Sequence, residues 1–299
     1  MNTEQASIKA PKRKNSSPWA IARRKFFHNK LAMISSVFLM TVIILSFLAP
    51  YITTVDISRV NIGETSLTPS SDHWLGTDQS GRDVFTRLLY GGRVSLTVGM
   101  SVTAIVVVFG TLIGSIAGYF GGFVDNILMR FTDFILNFPF LVFVIVLSSL
   151  LFGHVSGVWV LIAVISGLSW GGVARIVRSK ILAEKENEYI LAAESIGTSS
   201  AKIITRHLLP NVLSTIIVQA TLLFATMIVA EAGLSYLGFG VPQEVPSWGN
   251  MLTSSRQPDV LQNKPWIWIP PGLAIVFTIL SINFIGEGLK DALNPKSNR

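Results

Sequence analysis

From residue 134 to residue 174 the chain contains no Asp, Glu, Lys or Arg. A helix crosses the bilayer core with about 20 mostly apolar residues, so this stretch is too long for one crossing. The cluster Gly153-His154-Val155-Ser156-Gly157 divides it, because glycine-rich polar clusters mark turns. The pattern predicts one helix over 127–152 and another over 158–174. Four further apolar runs predict helices over 31–51, 94–119, 212–230 and 269–285. Pro210 and Asn211 introduce the fifth helix, and Pro270 and Pro271 fall in the first turn of the sixth, where a missing N–H breaks no helical bond. Charged residues make up only 14% of the chain, against about 25% in a typical soluble domain. The expected fold is therefore an all-α polytopic membrane protein with six transmembrane helices.

An even number of spans puts both termini on one side. Basic residues mark the cytoplasmic side. They cluster before the first span (Lys9, Lys12, Arg13, Lys14, Arg23, Arg24, Lys25, Lys30). They recur between spans four and five (Arg175, Arg178, Lys180, Lys185, Lys202, Arg206) and in the tail (Lys290, Lys296, Arg299). Both termini are expected to be cytoplasmic. The same pattern accounts for the net charge of +7 and excludes nucleic acid as the partner, since no basic patch is interleaved with aromatics. The first apolar run is too long for the core of a signal peptide, and Pro50 follows Ala49 where cleavage would fall, so an uncleaved signal-anchor is expected. Residues 17–30, with Trp19 and Phe26 on one helical face beside Arg23, Arg24 and Lys25, read as a helix lying on the membrane surface. Lipid is thus one partner. Trp248, Trp266 and Trp268 read as interface anchors. With no cysteine and four scattered histidines, neither a disulfide framework nor a metal site is expected.

Gly110, Gly114 and Gly118 recur every four residues on one helical face, a spacing that lets two helix backbones approach closely in lipid. The segment 175–211 differs from the rest in being long, charged and patterned. Residues 189–196 favour helix, Gly197 stops it, and Thr198, Ser199 and Ser200 offer a cap for a second short helix. Ala201, Ile204 and Leu208 form the apolar face of that second helix. The small side chains of Ala192 and Ala193 leave a low surface that a partner can approach; the alternative is a loop packed on its own helices.

Ala192-Ala193, Gly197 four residues on, and Leu209-Pro210 together resemble the EAA loop of ATP-binding-cassette import permeases. The family pattern is Glu-Ala-Ala, three residues, Gly, nine residues, Ile, any residue, Leu-Pro. Leu191 stands where that pattern has Glu, and His207 where it has Ile, with Glu188 and Glu194 flanking the site. A second set of motifs is similar to the dipeptide and oligopeptide permease "C" subunits. It comprises His73-Trp74-Leu75-Gly76-Thr77-Asp78, Gly81-Arg82-Asp83-Val84, and Arg87 to Arg93. It continues with Leu234-Ser235-Tyr236-Leu237-Gly238-Phe239-Gly240, Trp248-Gly249, and Gly288 to Pro295. The resemblance covers about residues 18–297.

The resemblance implies a type I importer permease fold in a prokaryotic cell (inner or plasma) membrane. It implies that Leu191, Ala192, Ala193, Glu194, Ile196, Gly197, Leu209 and Pro210 form the ATPase-coupling loop. It also implies the partners: a second homologous permease subunit, one or two ATP-binding ATPase subunits, and an extracytoplasmic substrate-binding protein. ATP and magnesium would sit on the ATPases, with no cofactor and no catalytic residue on this chain, which lacks a P-loop. The implied layout is a basic tail and interfacial helix over 1–30, a first span over 31–51 and an extracytoplasmic segment over 52–93. A five-helix core over 94–290, holding the loop 175–211, and a tail over 291–299 complete it. Cargo is expected to be di- or oligopeptide; nickel or a metal chelate is the alternative. A secondary carrier would show internal repeats, and a membrane enzyme a catalytic constellation, neither of which is evident.

Charges near the membrane are further candidates for the translocation path or a gate. Arg130 and Asp133 are three residues apart and read as a pair. Glu231 has no evident local partner. Asn283 and Glu287 lie on the sixth span. Residues 82–93 read as an interfacial helix in which Arg82, Asp83 and Arg87 pair at helical spacing.

Overall fold

Asn29 separates the first two helices. Its backbone is extended and its side chain accepts the Ala32 N–H at 3.1 Å, an N-cap that ends α1 (Pro18–His28) and starts α2 (Lys30–Phe47). The structure is a computed structural model that describes residues 18–57, 60–151 and 157–293, without the Pro18 and Trp19 side chains. The turn expected at 153–157 and the tail beyond 293 therefore lie wholly or largely outside the described residues, as does the Trp19 half of the surface-helix expectation. After the short α3 (Ala49–Ile52) comes an irregular segment with one 3₁₀ turn (Ile62–Glu64). Asp83 then caps α4 (Val84–Phe120), accepting the Thr86 N–H at 2.7 Å.

Helix α4 starts at Val84, well before the expected residue 94. Its 37 residues span roughly 55 Å, against a hydrocarbon core of about 30 Å, so it projects beyond the bilayer. The single helix expected over 127–152 is two, α5 (Gly122–Leu136) and α6 (Phe140–Leu151), bent by 82° where they meet. Pro139 explains the break: it has no N–H to donate and disfavours helical backbone at Phe138. Helix α7 (Val158–Lys185) runs past residue 174. The short α8 (Glu188–Ser195) and α9 (Ser200–Ile203) follow, and a π-helical turn (Ile204–Leu208) carries the chain without interruption into α10 (Leu209–Leu237). At the other end come α11 (Trp248–Leu252), α12 (Pro258–Asn263) and α13 (Pro265–Leu293). Pro265, not Pro270 or Pro271, opens this last helix; the latter two lie inside it, which corrects their expected place in the first turn.

Among the described residues five helices are long and apolar enough to cross a membrane: α2, α4, α7, α13, and the continuous helix from Ser200 through α10. The bent pair α5–α6 supplies the sixth crossing, and packing shows why it must. Gly110 faces Trp170, Gly114 faces Ala174 and Gly118 faces Arg178, so α4 and α7 run parallel. The chain between them must therefore return across the bilayer, and α5–α6 is what connects them.

The glycine stripe is thus a packing seam. A Cβ at Gly110, Gly114 or Gly118 would lie 2.8, 2.4 or 2.9 Å from the carbonyl oxygens of Trp170, Ala174 and Arg178. A second core joins α4, α10, α11 and α13 through Leu96, Ile228, Trp248 and Ile282. Helix α2 packs against it with Leu39, Val42 and Ile43 half-buried, burying Ala32, Ser35 and Ser46 while exposing Ile34, Val37 and Met40. Small residues inward and large apolar ones outward is the arrangement lipid favours, since lipid tails solvate large side chains as well as a protein core does. Gly288 packs on Ala32, and Ile217 of α10 lines a cavity with Leu293, so both ends of the described chain share the end of the bundle that carries α8.

Candidate functional site

Two places concentrate polar chemistry, one at each end of the bundle. At the end carrying α8, the chain leaves α7 at Lys185 and turns at Asn187. Three side chains fasten the turn. The Tyr189 hydroxyl bonds Glu184 Oε1, and Asn211 Nδ2 donates to Tyr189 Oη at 2.6 Å and to Glu184 Oε1 at 3.2 Å. Partial burial first, and the Glu184 carboxylate second, push the Tyr189 phenol above its ordinary value. Helix α8 ends at Ser195, with Ile196 as its cap. Gly197 has φ +78°, which lets the Thr198 N–H reach Ala193 O at 3.1 Å and the Gly197 N–H reach Glu194 O at 2.9 Å. A left-handed residue just past a helix is the usual role of glycine. Ser199 takes the cap position of α9, but its side chain makes no capping bond.

The faces of α8 follow. Ile190 and Ala193 are buried against the body, while Leu191, Ala192, Glu194, Ile196 and Gly197 face out. The two alanines therefore do not share one surface, as the sequence reading had it: Ala193 anchors and Ala192 is presented. Ile196 is 82% exposed and Leu191 51%, an apolar pair on a polar segment. Pro210 is exposed near the start of α10, with Leu209 half-buried beside it. In the second short helix Leu208 is buried and Ile204 is half-buried against the core, as expected, while Ala201 is exposed and Ile203 joins the buried face; the π-helical turn, which adds a residue per turn, lies between Ile203 and Leu209.

Basic residues of α7 tie this end together. Arg178 forms a two-pronged pair with Asp125, and Arg175 pairs with Asp133. Lys185 Nζ donates to Tyr119 O at 2.7 Å, satisfying a carbonyl in the last turn of α4. The expected Arg130–Asp133 pair does not form. Asp133 goes to Arg175, whereas Arg130 Nε donates to Asn126 Oδ1 at 3.1 Å. A partner forty-two residues away in sequence carries no local signal. Asn283 and Glu287 are exposed on one face of α13.

At the opposite end Glu231 is completely buried. Ser95 Oγ donates to its Oε2 and Ser235 Oγ to its Oε1, each at 2.7 Å. The serines in turn accept backbone N–H groups, Trp248 to Ser95 at 3.2 Å and Val241 to Ser235 at 3.1 Å. The expectation that Glu231 lacks a partner is corrected. Its partners come from α4, its own helix and, through the serines, the segment after α10. Trp248 is likewise not an interface anchor: it is 2% exposed and donates Nε1–H to Leu88 O at 3.0 Å. Gly92 on α4 leaves room for its ring, since a Cβ there would lie 2.9 Å from it.

The segment before α4 is built on Asp78, a residue the sequence reading did not single out. Its Oδ1 accepts the Ser80 and Arg82 N–H groups at 2.8 and 3.0 Å, its Oδ2 accepts Arg82 Nε at 3.0 Å, and Arg87 Nε lies 3.7 Å from Oδ2 as an ion pair. Asp83 instead pairs with His73 Nδ1 at 2.9 Å. The expected Arg82–Asp83–Arg87 pairing is thus replaced by two acids with separate duties. The cluster Gly76-Thr77-Asp78 with Gly81, whose glycines have φ +71° and +72°, was the available signal for a tight, acid-centred turn.

Comparison with known proteins gives consistent matches over this architecture. Residues 110–299 match the family described as binding-protein-dependent transport system inner membrane component. Residues 17–69 match the N-terminal TM domain of oligopeptide transport permease C. The chain is 40% identical over 280 residues to the dipeptide transport system permease protein DppC of Alkalihalophilus pseudofirmus, covering 94% of this chain and 90% of that one. Bacillus subtilis supplies two further relatives. Its dipeptide permease protein DppC is 38% identical, covering 100% of this chain and 91% of that one. Its oligopeptide permease protein OppC is 37% identical, covering 95% and 92%.

Proposed function

Because the chain belongs to the binding-protein-dependent transport system inner membrane components, as a multi-pass permease subunit of the dipeptide and oligopeptide importer type, we infer that it couples peptide passage to ATP hydrolysis on a separate subunit through α8. In this reading the end of the bundle carrying α8 and both termini is cytoplasmic. The chain forms the path for di- or oligopeptides with a second, related permease. One or two ATPase subunits, holding ATP and magnesium, dock on α8, and an extracytoplasmic binding protein delivers cargo at the opposite end.

The carrying observation is the outward face of α8. Leu191 and Ile196 are apolar and exposed on a short helix, and Ile190 and Ala193 fix that helix to the body. An exposed apolar pair on a rigid support suits insertion into a cleft of a partner. Leu191 supplies apolar contact where related loops carry an acid. Through the π-helical turn the same segment continues into α10, whose far end carries Glu231, so a displacement of α8 has a mechanical route across the membrane. Coupling of this kind needs one element whose two states both sites bias, and α10 is the element so placed.

The test starts with the tagged chain purified in mild detergent and its companions identified by mass spectrometry. A second six-span permease and ATPases are expected. Ile196→Arg is the sharper probe, since Ala193 is buried and its replacement would disturb the fold of α8 itself. Ile196→Arg should insert normally yet lose ATPase subunits on purification and lose uptake. Gly197→Pro should act likewise, because proline cannot adopt φ +78°. Uptake at the wild-type rate in Ile196→Arg would refute the coupling role, and transport by the isolated chain without ATP would make it a secondary carrier.

A further inference from the structure

Only Asn29 separates α1 from the span α2, so α1 lies at the level where the chain enters the bilayer. Phe26 of α1 packs on α13, where its ring comes within 3.4 Å of the position a Cβ on Gly288 would take. Beside this contact an apolar cavity of about 530 Å³ opens between α1, α10 and α13. Phe26, Ile217, Leu289 and Leu293 line it, and Arg23 is the one charged residue at its wall. A second cavity, of about 800 Å³, adjoins the first through the shared residues Ala20 and Ala292, and Arg24, Lys25 and Asp291 line it. Arg23 and Arg24 are exposed and Lys25 half-buried, and among the described residues none of the three side chains makes an ion pair. Asp291 is the sole acid on either cavity, so three cations face one carboxylate.

An apolar groove with a cationic rim at the membrane surface asks for an occupant that is apolar at one end and anionic at the other. Acyl chains solvate apolar side chains as a protein core does. A phosphate accepts the paired donors of a guanidinium. The excess of cations favours a headgroup with net negative charge, since a zwitterionic one brings its own cation into the same field. The remaining sequence at either end has the wrong chemistry for the groove. Residues 1–17 add Lys9, Lys12, Arg13 and Lys14, which a basic rim repels, and residues 294–299 contain no large apolar side chain. We propose that the groove between α1, α10 and α13 is a discrete site for one anionic phospholipid, with an acyl chain against Phe26, Ile217, Leu289 and Leu293 and the phosphate at Arg23. Arg24 and Lys25 add to the field that selects the headgroup. Such a lipid tethers α1 to the ends of two spans, which general contact with the bilayer does not do.

The experiment uses the complete transporter in phosphatidylcholine nanodiscs. A trace of phosphatidylglycerol carries a photoactivatable diazirine near the end of one acyl chain, and labelled peptides are identified by mass spectrometry. Adducts are expected near Ile217 and over Leu289–Leu293. Unlabelled phosphatidylglycerol should displace the probe at about tenfold lower content than phosphatidylethanolamine or added phosphatidylcholine. Arg23→Gln should weaken probe binding about fivefold, and Arg24→Gln and Lys25→Gln added to it should weaken binding further. Ala20 is exposed on α1 and lines both cavities, so Ala20→Trp obstructs the groove without disturbing a buried residue. It should remove most of the labelling at unchanged thermal unfolding. Equal displacement by the three lipids would make this an ordinary bilayer contact and overturn the site. Unchanged labelling in Arg23→Gln or in Ala20→Trp would overturn it as well. Labelling that appears only after the partner subunits are stripped would show that a protein segment covers the groove, with the same consequence.

Discussion

Replacing Gly114 by alanine adds one methyl group at the tightest point between α4 and α7. The new Cβ would lie 2.4 Å from Ala174 O, 2.9 Å from Val177 Cβ and 3.0 Å from the Arg178 nitrogen. An ordinary carbon–oxygen contact is about 3.4 Å, so the helices must separate locally by about 1 Å. Two of the three obstacles are backbone, which no rotamer change relieves. Overpacking of this kind costs about 1–3 kcal/mol, and for a chain of this size the melting temperature should fall by about 2–6 °C. Gly110 and Gly118 meet their carbonyls at 2.8 and 2.9 Å, so alanine there carries about half the backbone overlap while keeping an equally close contact with the Val173 or Ile181 Cβ. Gly167, on α7, has nothing within 4 Å, and Gly167→Ala should be neutral or slightly stabilising, because alanine is the better helix former. The assay is thermal unfolding of the purified transporter in one detergent, followed by intrinsic fluorescence. The expected order of destabilisation is Gly114→Ala first, then the alanine variants at 110 and 118 together, then Gly167→Ala. If Gly114→Ala melts with Gly167→Ala, the backbone seam does not hold α4 to α7.

Two further substitutions probe the polar clusters at the two ends. Glu231→Ala removes the acceptor of Ser95 and Ser235, leaving two buried hydroxyls to find new partners at about 1–3 kcal/mol. Amide exchange at Trp248 and Val241, whose N–H groups rest on those serines, should then quicken about tenfold or more, and unchanged protection there would show that the carboxylate does not hold the segment. Tyr189→Phe deletes the hydroxyl shared by Glu184 and Asn211 without changing ring packing. It should cost about 1 kcal/mol locally and make Lys185 and Lys202, which flank α8, more accessible to brief trypsin treatment, at unchanged global melting. Equal cleavage rates in variant and wild type would show that the hydroxyl does not fasten the segment.

The spans were legible because the hydrocarbon core admits so few charges that their absence is a direct readout of depth. Boundaries were legible only where charge and depth coincide. Arg87 and Arg93 made the first turns of α4 read as a separate interfacial helix. One is buried beside Asp78, and the other lies over the Phe47 ring at 6.0 Å, so neither ends the helix as an isolated charge would. Arg175 and Arg178 hid the last turns of α7 in the same way, since Asp133 and Asp125 pair with them. The break at Pro139 carried a local signal, but the length of the uncharged stretch outweighed it. Glu231 was conspicuous as an acid in an apolar run, whereas Ser95, 136 residues away, was one serine among many. Local chemistry announces an unusual group; only the fold discloses what satisfies it. The α8 segment was legible for the converse reason, because its helix stop at Gly197 and its proline at 210 act within one or two turns of themselves.

The two polar ends are joined by different kinds of connection, and the difference bears on how the chain can move. Helices α4 and α7 meet backbone to backbone over two turns, from Gly110 to Gly118, and Lys185 and Arg178 lock their shared end to α4 and α5. Close-packed interfaces of this sort shift as units. Helix α10 meets α4 through the Ser95–Glu231 hydrogen bond and, beside it, through Phe224 and Ile228 packed on Gly99, and at its other end it continues through a π-helical turn. On the proposed coupling, a load at α8 passes first into α10, the helix into which its segment continues. On that proposal the α4–α7 block moves as a unit and the turn at Ile204–Leu208 takes up the displacement. The α4–α7 seam is backbone against backbone, whereas α10 meets α4 with side chains, and the proposed coupling therefore puts its movable joint between α4 and α10.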